Sequence, residues 1–327
     1  MAELTYAEAA KRALAEAMRR DPRVWALGED LGRGGVFGQY KGLQEEFGPA
    51  RVVDAPISEA AIMGSAVGAA MMGTRPVVEM RFADFALCAV DELVNQAAKA
   101  RFMFGGQARV PLVVRQPVGM WRSSAAQHSQ SLEAWYTHIP GLVVVMPATP
   151  ADNYGLLAAA IRCDDPVVYM EHKGLWPLTG EVPDGDGEVE LGRARVVRRG
   201  SDITLVTWSA MVHEAASAAA IAAAEGIEVE LVDLRTLWPW DQDTVLASVE
   251  RTGRLLVVHE AVAVAGFGAE IAAVAGETLF GRLKAPVKRL GAPRVPIGYA
   301  PSLESQVKIE AARDILPTLR ALVGATR

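Results

Sequence analysis

Three acids and a histidine stand where a chain could use them in chemistry. Glu59 follows Asp54-Ala55-Pro56-Ile57-Ser58. Pro56 keeps Ala55 extended, Ser58 is a good N-cap, and the small, apolar residues beyond it predict a helix over 58–72. Glu59 then lies in the first helical turn, where an acid complements the helix dipole. Gly64 and Gly68 are one turn apart and would let another backbone approach closely. Such packing would partly desolvate the carboxyl, raise its pKa and suit it to trading a proton. His128 stands in Gln127-His128-Ser129-Gln130-Ser131, a loop rich in hydrogen-bonding side chains. An imidazole there is either a solvated loop residue or a proton carrier near neutral pH. Glu29-Asp30 closes the short apolar run 24–28, at the carboxyl edge where open α/β sheets place their ligands. Gly32, Gly34 and Gly35 loosen the next loop, but without a following helix they make a weak nucleotide signature.

The elements that must hold these residues alternate. Thr5-Tyr6-Ala7-Glu8 has capping-box spacing and opens a helix ending near Arg20. Strands are predicted over 24–28, 51–54, 76–80, 110–115, 142–146 and 166–171, and helices over 58–72, 91–102 and 150–162. Phe82 to Phe85 reads as a short aromatic loop. Leu132 to Tyr136 turns the His128 loop into a helix. This is the pattern of a doubly wound parallel sheet. From Leu175 to Leu191 the periodicity is lost among Pro177, Pro183 and Asp184-Gly185-Asp186-Gly187, which reads as a crossing between domains. Beyond Gly192, strands over 203–207, 228–232 and 255–258 alternate with helices over 212–225 and 240–249, and Phe267-Gly268 opens another helix. The expected division is a first domain over 1–175, a linker over 176–191 and a second domain over 192–327.

Composition narrows the classes. A chain of 327 residues with 51% hydrophobic residues is ample for two cores. A net charge of -6 without a dense Lys/Arg run argues against nucleic acid and anionic membranes as partners. The longest apolar run, 60–73, is too short to span a bilayer, and the charged, amphipathic start is unlike a secretory signal. Cys88 and Cys163 form no spaced pair, so neither a disulfide framework nor a zinc site is expected and a reducing cytoplasm fits. The small-residue helices suggest a large interface and hence an oligomer.

Taken together, Leu27-Gly28-Glu29-Asp30, Asp54-Ala55-Pro56-Ile57-Ser58-Glu59, Gly105-Gly106, Ala126-Gln127-His128-Ser129-Gln130-Ser131, Pro140-Gly141-Leu142, Leu234-Arg235-Thr236-Leu237 and Pro239-Trp240-Asp241 resemble one family. It is the beta subunit of the thiamine-diphosphate-dependent first component of 2-oxoacid dehydrogenase complexes. The resemblance covers almost the whole chain. It implies an α/β fold: a doubly wound pyrimidine-binding domain followed by a transketolase C-terminal-like domain. It also implies a heterotetramer of two alpha and two beta chains, a lipoyl acyltransferase partner and a small 2-oxo acid substrate.

By resemblance, Glu59 is the activating glutamate. Hydrogen-bonded to N1′ of the cofactor's aminopyrimidine, it favours the imino tautomer, whose N4′ takes the proton from thiazolium C2. Phe85 matches the aromatic residue packed on that ring, and Glu29, Ile57 and Arg81 match residues bordering it. Arg81 departs from the Gln or uncharged residue of the family. His128 matches the loop histidine that assists proton transfer in reductive acylation. A potassium site of backbone carbonyls would fall on Leu112, Ala160, Ile161, Cys163 and Asp165. Magnesium would be held by the alpha subunit: Gly185-Asp186-Gly187 imitates the superfamily's magnesium motif, but no Asn follows Asn153 and the stretch lies in the expected linker.

Among substrates, Glu171-His172-Lys173 and the stretch 127–136 lean towards pyruvate, then acetoin, over branched-chain 2-oxo acids. Other classes remain at this stage. A self-contained transketolase lacks room for a diphosphate-binding domain. A nucleotide-dependent oxidoreductase would rest on Gly266-Phe267-Gly268, where Ile271 replaces the third glycine. A non-catalytic assembly subunit would need only the small-residue faces, and the joint presence of Glu59, Phe85 and His128 argues against it.

Overall fold

The computed structural model describes residues 1–185 and 189–324. They form two compact units: Met1–Val118 with Trp135–Leu191, and Gly119–Ala134 with the chain from Gly192.

In the first unit the strands are β1 (Ala2–Thr5), β2 (Val24–Gly28), β3 (Val52–Asp54), β4 (Arg75–Glu79), β5 (Val113–Val118), β6 (Val143–Val145), β7 (Val167–His172) and β8 (Thr179–Val182). Six of them lie side by side in the order β6–β7–β5–β4–β2–β3, all parallel. The order explains the composition of β5 and β7: strands covered on both faces are buried at every position. Chain direction reverses at β2, since β3 lies on one side of it and β4 on the other. The crevice beyond the carboxyl ends of such neighbours is where doubly wound sheets bind ligands.

The helix Tyr6–Arg20 carries the expected capping box, with Thr5 and Glu8 bonding each other's backbone N–H. It packs on the helix Pro150–Arg162, and Leu14, Met18, Tyr154 and Leu157 join Val113, Val167 and Tyr169 in one core. Gly141, in the Pro140-Gly141-Leu142 motif, has φ +99° and passes the helix Ala98–Met103 so closely that a Cβ would lie 1.9 Å from the Ala98 carbonyl oxygen. Only glycine fits that crossing.

Several expectations need correction. The stretch expected to be a bare linker contains β8, which pairs antiparallel with β1 from Ala2↔Val182 to Thr5↔Thr179. Its Asp186 and Gly187 lie outside the described residues. The strand expected from 110 begins at Val113, after Pro111, which has no N–H to give a ladder. The helix expected over 91–102 is π-helical from Asp91 to Ala97 and α-helical from Ala98 to Met103. Ala83–Ala86 is a helical turn and not a loop.

In the second unit the strands are β9 (Arg195–Arg198), β10 (Ile203–Thr207), β11 (Val229–Asp233), the short β12 (Thr236–Trp238), β13 (Leu255–Val262) and β14 (Lys288–Ala292). Five lie in the order β14–β13–β10–β11–β9, parallel except for β9. Ala215, Ala218, Ala219 and Ala222 of the helix Met211–Ala224 pack with Leu316, Leu319 and Leu322 over Leu205, Leu231 and Leu256. Asp241 caps the helix Gln242–Thr252 and also accepts from Ala194 N–H at 3.0 Å. Burial pushes its carboxyl up, but the Ala194 and Thr244 N–H groups, the Thr244 hydroxyl and Arg193 together outweigh burial and hold it below the usual range. The Pro239-Trp240-Asp241 motif is thus a helix start. No helix among the described residues is long and apolar enough to cross a membrane.

Candidate active site

At the carboxyl ends of β2, β3 and β4 the chain sets out most of the residues singled out above. Gly28 ends β2 and hands on Glu29 and Asp30. Asp54 ends β3 and leads to Ile57 and Glu59. Glu79 ends β4 and leads to Arg81 and Phe85. Because the three strands are neighbours in parallel register, their exits share one rim.

Arg81 is the charged link across it. Its Nη2 donates to Asp30 Oδ2 at 2.5 Å, and its Nε lies 3.4 Å from Glu29 Oε2. Glu29 is 9% exposed. Burial pushes its carboxyl up, Arg81 opposes, and the charges of Glu59 and Asp30 push up again. Asp54 binds the loop beyond β2 by accepting from Gly32 N–H at 2.8 Å.

Glu59 opens the helix Glu59–Met71, as expected, and is half-buried. Ser58 occupies the N-cap position but its side chain makes no capping bond. The expected close approach at Gly64 and Gly68 is not made among the described residues. A Cβ at Gly64 would meet only Glu92 Cγ at 3.5 Å, and one at Gly68 nothing within 4 Å. Ala61, Ser65 and Gly68 instead leave an exposed face of small residues. Ile57 is 74% exposed, and Phe85 stands edge-on to Phe82 at 5.4 Å between ring centroids. The rim thus combines apolar surfaces, a helix-start carboxyl and a second, desolvated carboxyl. A flat heterocycle with hydrogen-bonding edges fits that set.

His128 belongs to the second unit, not to the first domain as its place in the sequence implied. It ends a single turn, Ala126–His128, and is half-buried.

The carbonyls expected to hold potassium lie at the opposite, amino-terminal edge of the sheet, before β5 and β7. They are not an open ring of oxygens. Arg75 Nη1 donates to the Ile161 and Cys163 carbonyls at 3.0 Å each, while its Nη2 pairs with Asp164 at 2.6 Å. The Leu112 carbonyl accepts from Val167 N–H and the Ala160 carbonyl from Cys163 N–H. Asp165 pairs with Arg101. A guanidinium already supplies positive charge there, and the arrangement does not fit a bare cation.

Sequence reasoning missed a buried charged cluster one strand further in. Arg115 on β5 is 1% exposed, with Nη2 2.7 Å from Glu171 Oε2 and Nη1 3.7 Å from Glu79 Oε2. Tyr40 Oη donates to Glu79 at 2.8 Å, and Asn153 Nδ2 to Glu171 at 3.0 Å. Burial pushes the Glu79 carboxyl to about 7, with Arg115 pulling down and Glu171 pushing up. Alternating charge on buried strands was the available signal: Glu79, Arg115 and Glu171 each interrupt an apolar run. Glu171 and Lys173 are 2% and 0% exposed, so neither side chain meets solvent, and the lean towards pyruvate is left to the stretch 127–136. Gly266 and Gly268 also have a packing role, since Cβ atoms there would come within 2.6 and 2.9 Å of His259. That takes the ground from the dinucleotide reading.

Residues 2–179 match the family "Transketolase, pyrimidine binding domain" and residues 192–313 "Transketolase, C-terminal domain". The chain is 48% identical to "Acetoin:2,6-dichlorophenolindophenol oxidoreductase subunit beta" of Cupriavidus necator, over 98% of each chain. It is 44% identical to "2-oxoisovalerate dehydrogenase subunit beta" of Bacillus subtilis, over 95% of this chain and 98% of that one. Identity is 45% with "Pyruvate dehydrogenase E1 component subunit beta" of Rhizobium meliloti, over 98% of this chain and 70% of that one. Among solved structures, "Split gene transketolase, inactive beta4 tetramer" superposes with a TM-score of 0.78 at 22% identity, covering 99% of both chains, which supports the fold.

Proposed function

Because the chain belongs to the family of beta subunits of 2-oxoacid and acetoin dehydrogenases, we propose that its β2–β3–β4 rim is the pyrimidine half of a thiamine-diphosphate site completed by an alpha subunit. The observation that carries this is the rim itself: Glu59 at a helix start, its charge pushing up the pKa of the desolvated Glu29, with an exposed Ile57 and a half-buried Phe85. Bound thiamine diphosphate supplies a carbanion equivalent and an electron sink for cleaving the bond beside a 2-oxo carbonyl. The chain's own tasks are narrower. Glu59 holds and exchanges a proton at the pyrimidine N1′, Phe85 and Ile57 flank the ring, and Glu29 with Arg81 sets the charge at its border. Arg81, engaged with Asp30 and Glu29, acts through those acids and not by direct contact.

His128 donates a proton when an acyl group passes to the lipoyl group of an acyltransferase partner. Magnesium and the diphosphate fall to the alpha subunit. Potassium is no part of this reading, because Arg75 occupies the Ile161 and Cys163 carbonyls. Phe102, Met103 and Phe104, exposed by 87%, 72% and 54%, together with the small-residue face of Glu59–Met71, support an extensive interface with other chains in a heterotetramer. A reducing cytoplasm suits two cysteines that are both free.

Pyruvate is the proposed substrate. The 48% identity with the Cupriavidus protein favours acetoin as a second reading. Carbon dioxide released from pyruvate, against acetaldehyde released from acetoin, separates the two in a reconstituted enzyme. The role of Glu59 is tested with Glu59→Gln, which keeps size and loses the exchangeable carboxyl proton. Hydrogen–deuterium exchange at C2 of the bound cofactor should slow by about 10²-fold or more, with assembly intact. An unchanged exchange rate would reduce Glu59 to a helix-dipole acid.

A further inference from the structure

The loop Gly119–Ala134 carries an unusual load of backbone strain. Seven non-glycine residues among those described have positive φ, and three of them, Arg122 (50°), Ser123 (54°) and Ala125 (64°), fall within four positions just before His128. Ala125, at φ 64° and ψ -168°, lies where glycine alone is at ease. Such a conformation persists only where its surroundings enforce it.

Two carboxylates from distant parts of the second unit do the enforcing. Glu304, on the helix Pro301–Val307 and 4% exposed, accepts from the Ser123 backbone N–H at 2.8 Å, at the strained position itself. Lys308 Nζ, 2.6 Å from its other oxygen, fixes the carboxylate in turn. Glu260, on β13, accepts from the Met120 N–H at 2.8 Å and from Ser131 Oγ at 3.3 Å, and so grips both arms of the loop. Gly119 N–H to the Gln130 carbonyl, at 3.4 Å, closes the base, and Trp208 Nε1 donates to Glu133 at 3.2 Å just beyond. His128 lies between the two clamps, half-buried, on a turn in which its own N–H donates to the Ala125 carbonyl at 3.4 Å.

We propose that Glu304 and Glu260 are positioning residues for His128, holding the strained 119–131 loop so that the imidazole keeps one orientation. This rests on the proposed role of His128 in acyl transfer. Charge-assisted bonds from carboxylate to backbone N–H are directional and strong, which suits them to enforcing a backbone shape that Ala125 resists.

The test uses the reconstituted alpha–beta enzyme with Glu304→Ala, Glu304→Gln, the double variant Glu304→Ala/Ala125→Gly, and His128→Ala. Amide hydrogen exchange at Met120 and Ser123 reads the clamp. Decarboxylation with an artificial electron acceptor, and acylation of a free lipoyl domain, read the chemistry. Glu304→Ala should speed exchange at Ser123 by about 10-fold, through loss of one buried acceptor. It should slow acylation more than decarboxylation. Glu304→Gln, which retains an acceptor oxygen, and the added Ala125→Gly, which relieves the strain, should each recover part of both losses. Unchanged exchange at Ser123 in Glu304→Ala would overturn the clamp whatever His128 does. Faster exchange with unchanged acylation, in an enzyme where His128→Ala does slow acylation, would overturn the positioning role. If His128→Ala spares acylation, the reading of His128 itself falls, and with it the purpose assigned to the clamp, while the exchange result still decides the strain.

Discussion

Two clusters of the first unit, each of one arginine and two carboxylates, are built on neighbouring strands and are opposite in character. At the rim, Arg81 bridges Glu29 and Asp30, with side chains 29%, 10% and 43% exposed. Inside the sheet, Arg115 bridges Glu79 and Glu171, at 1%, 5% and 2%. The residue types are nearly the same, and burial alone separates their uses. In the interior the guanidinium cannot satisfy both acids as ions, so Glu79 is held near neutrality while Tyr40 and Asn153 bond to the carboxylates. At the rim, Arg81 and Asp30 stay partly exposed, so solvent screens their pairing and the charges remain at the surface of the unit. The interior cluster sets the geometry of β4, β5 and β7, and the exterior one sets a field.

The strongest way to break the comparison is Arg115→Met, which strands two buried carboxylates. Stability of the purified chain in urea should fall by about 3–5 kcal/mol. A loss under about 1 kcal/mol would place the interior cluster on the same footing as the rim. Glu79→Gln is the next test. A carboxyl with a folded pKa of about 7 against an unfolded 4.5 contributes stability that is complete below pH 4.5 and is lost as pH rises through 7. Between pH 5 and 8 the stability of the wild type should therefore fall by about 2 kcal/mol relative to the variant, which lacks the titrating group. A pH-independent difference would show that burial does not hold the proton on Glu79. Arg81→Gln should have the smallest effect on stability, under about 1 kcal/mol, as for exposed ion pairs. It should nevertheless raise the Glu29 pKa further by removing the group that holds it down, which carbon-13 carboxyl titration would report. A downward shift would mean that Arg81 does not act on Glu29.

Much of this was legible in the chain. The capping box at Thr5 and Glu8, the helix beginning at Glu59 and the alternation of buried strands with helices follow from local chemistry: side chains three or four residues apart meet on a helix, and strands covered on both faces must be apolar. The rim was legible too, because a strand's carboxyl end is a place that sequence order identifies. Glu29, Ile57, Glu59, Arg81 and Phe85 were all named from residue order and resemblance.

What only the tertiary structure decided are relations between residues far apart in sequence. No local pattern could show that Glu171 is 56 positions from the arginine it serves, or that Arg75 would reach the carbonyls of Ile161 and Cys163, 86 and 88 positions on. No pattern placed His128 with the second unit either, since contacts made by Glu260 and Glu304 settle that. β8 escaped notice because an edge strand paired only with β1 needs no apolar periodicity of its own. The sequence by itself determined which segments form elements, which acids stand at strand ends and to which family the chain is similar, because those depend on short-range spacing. Burial decided the rest: whether a given carboxyl is a solvated acid, a buried proton holder or a clamp on a strained loop depends on which distant donor shares its low-dielectric surroundings.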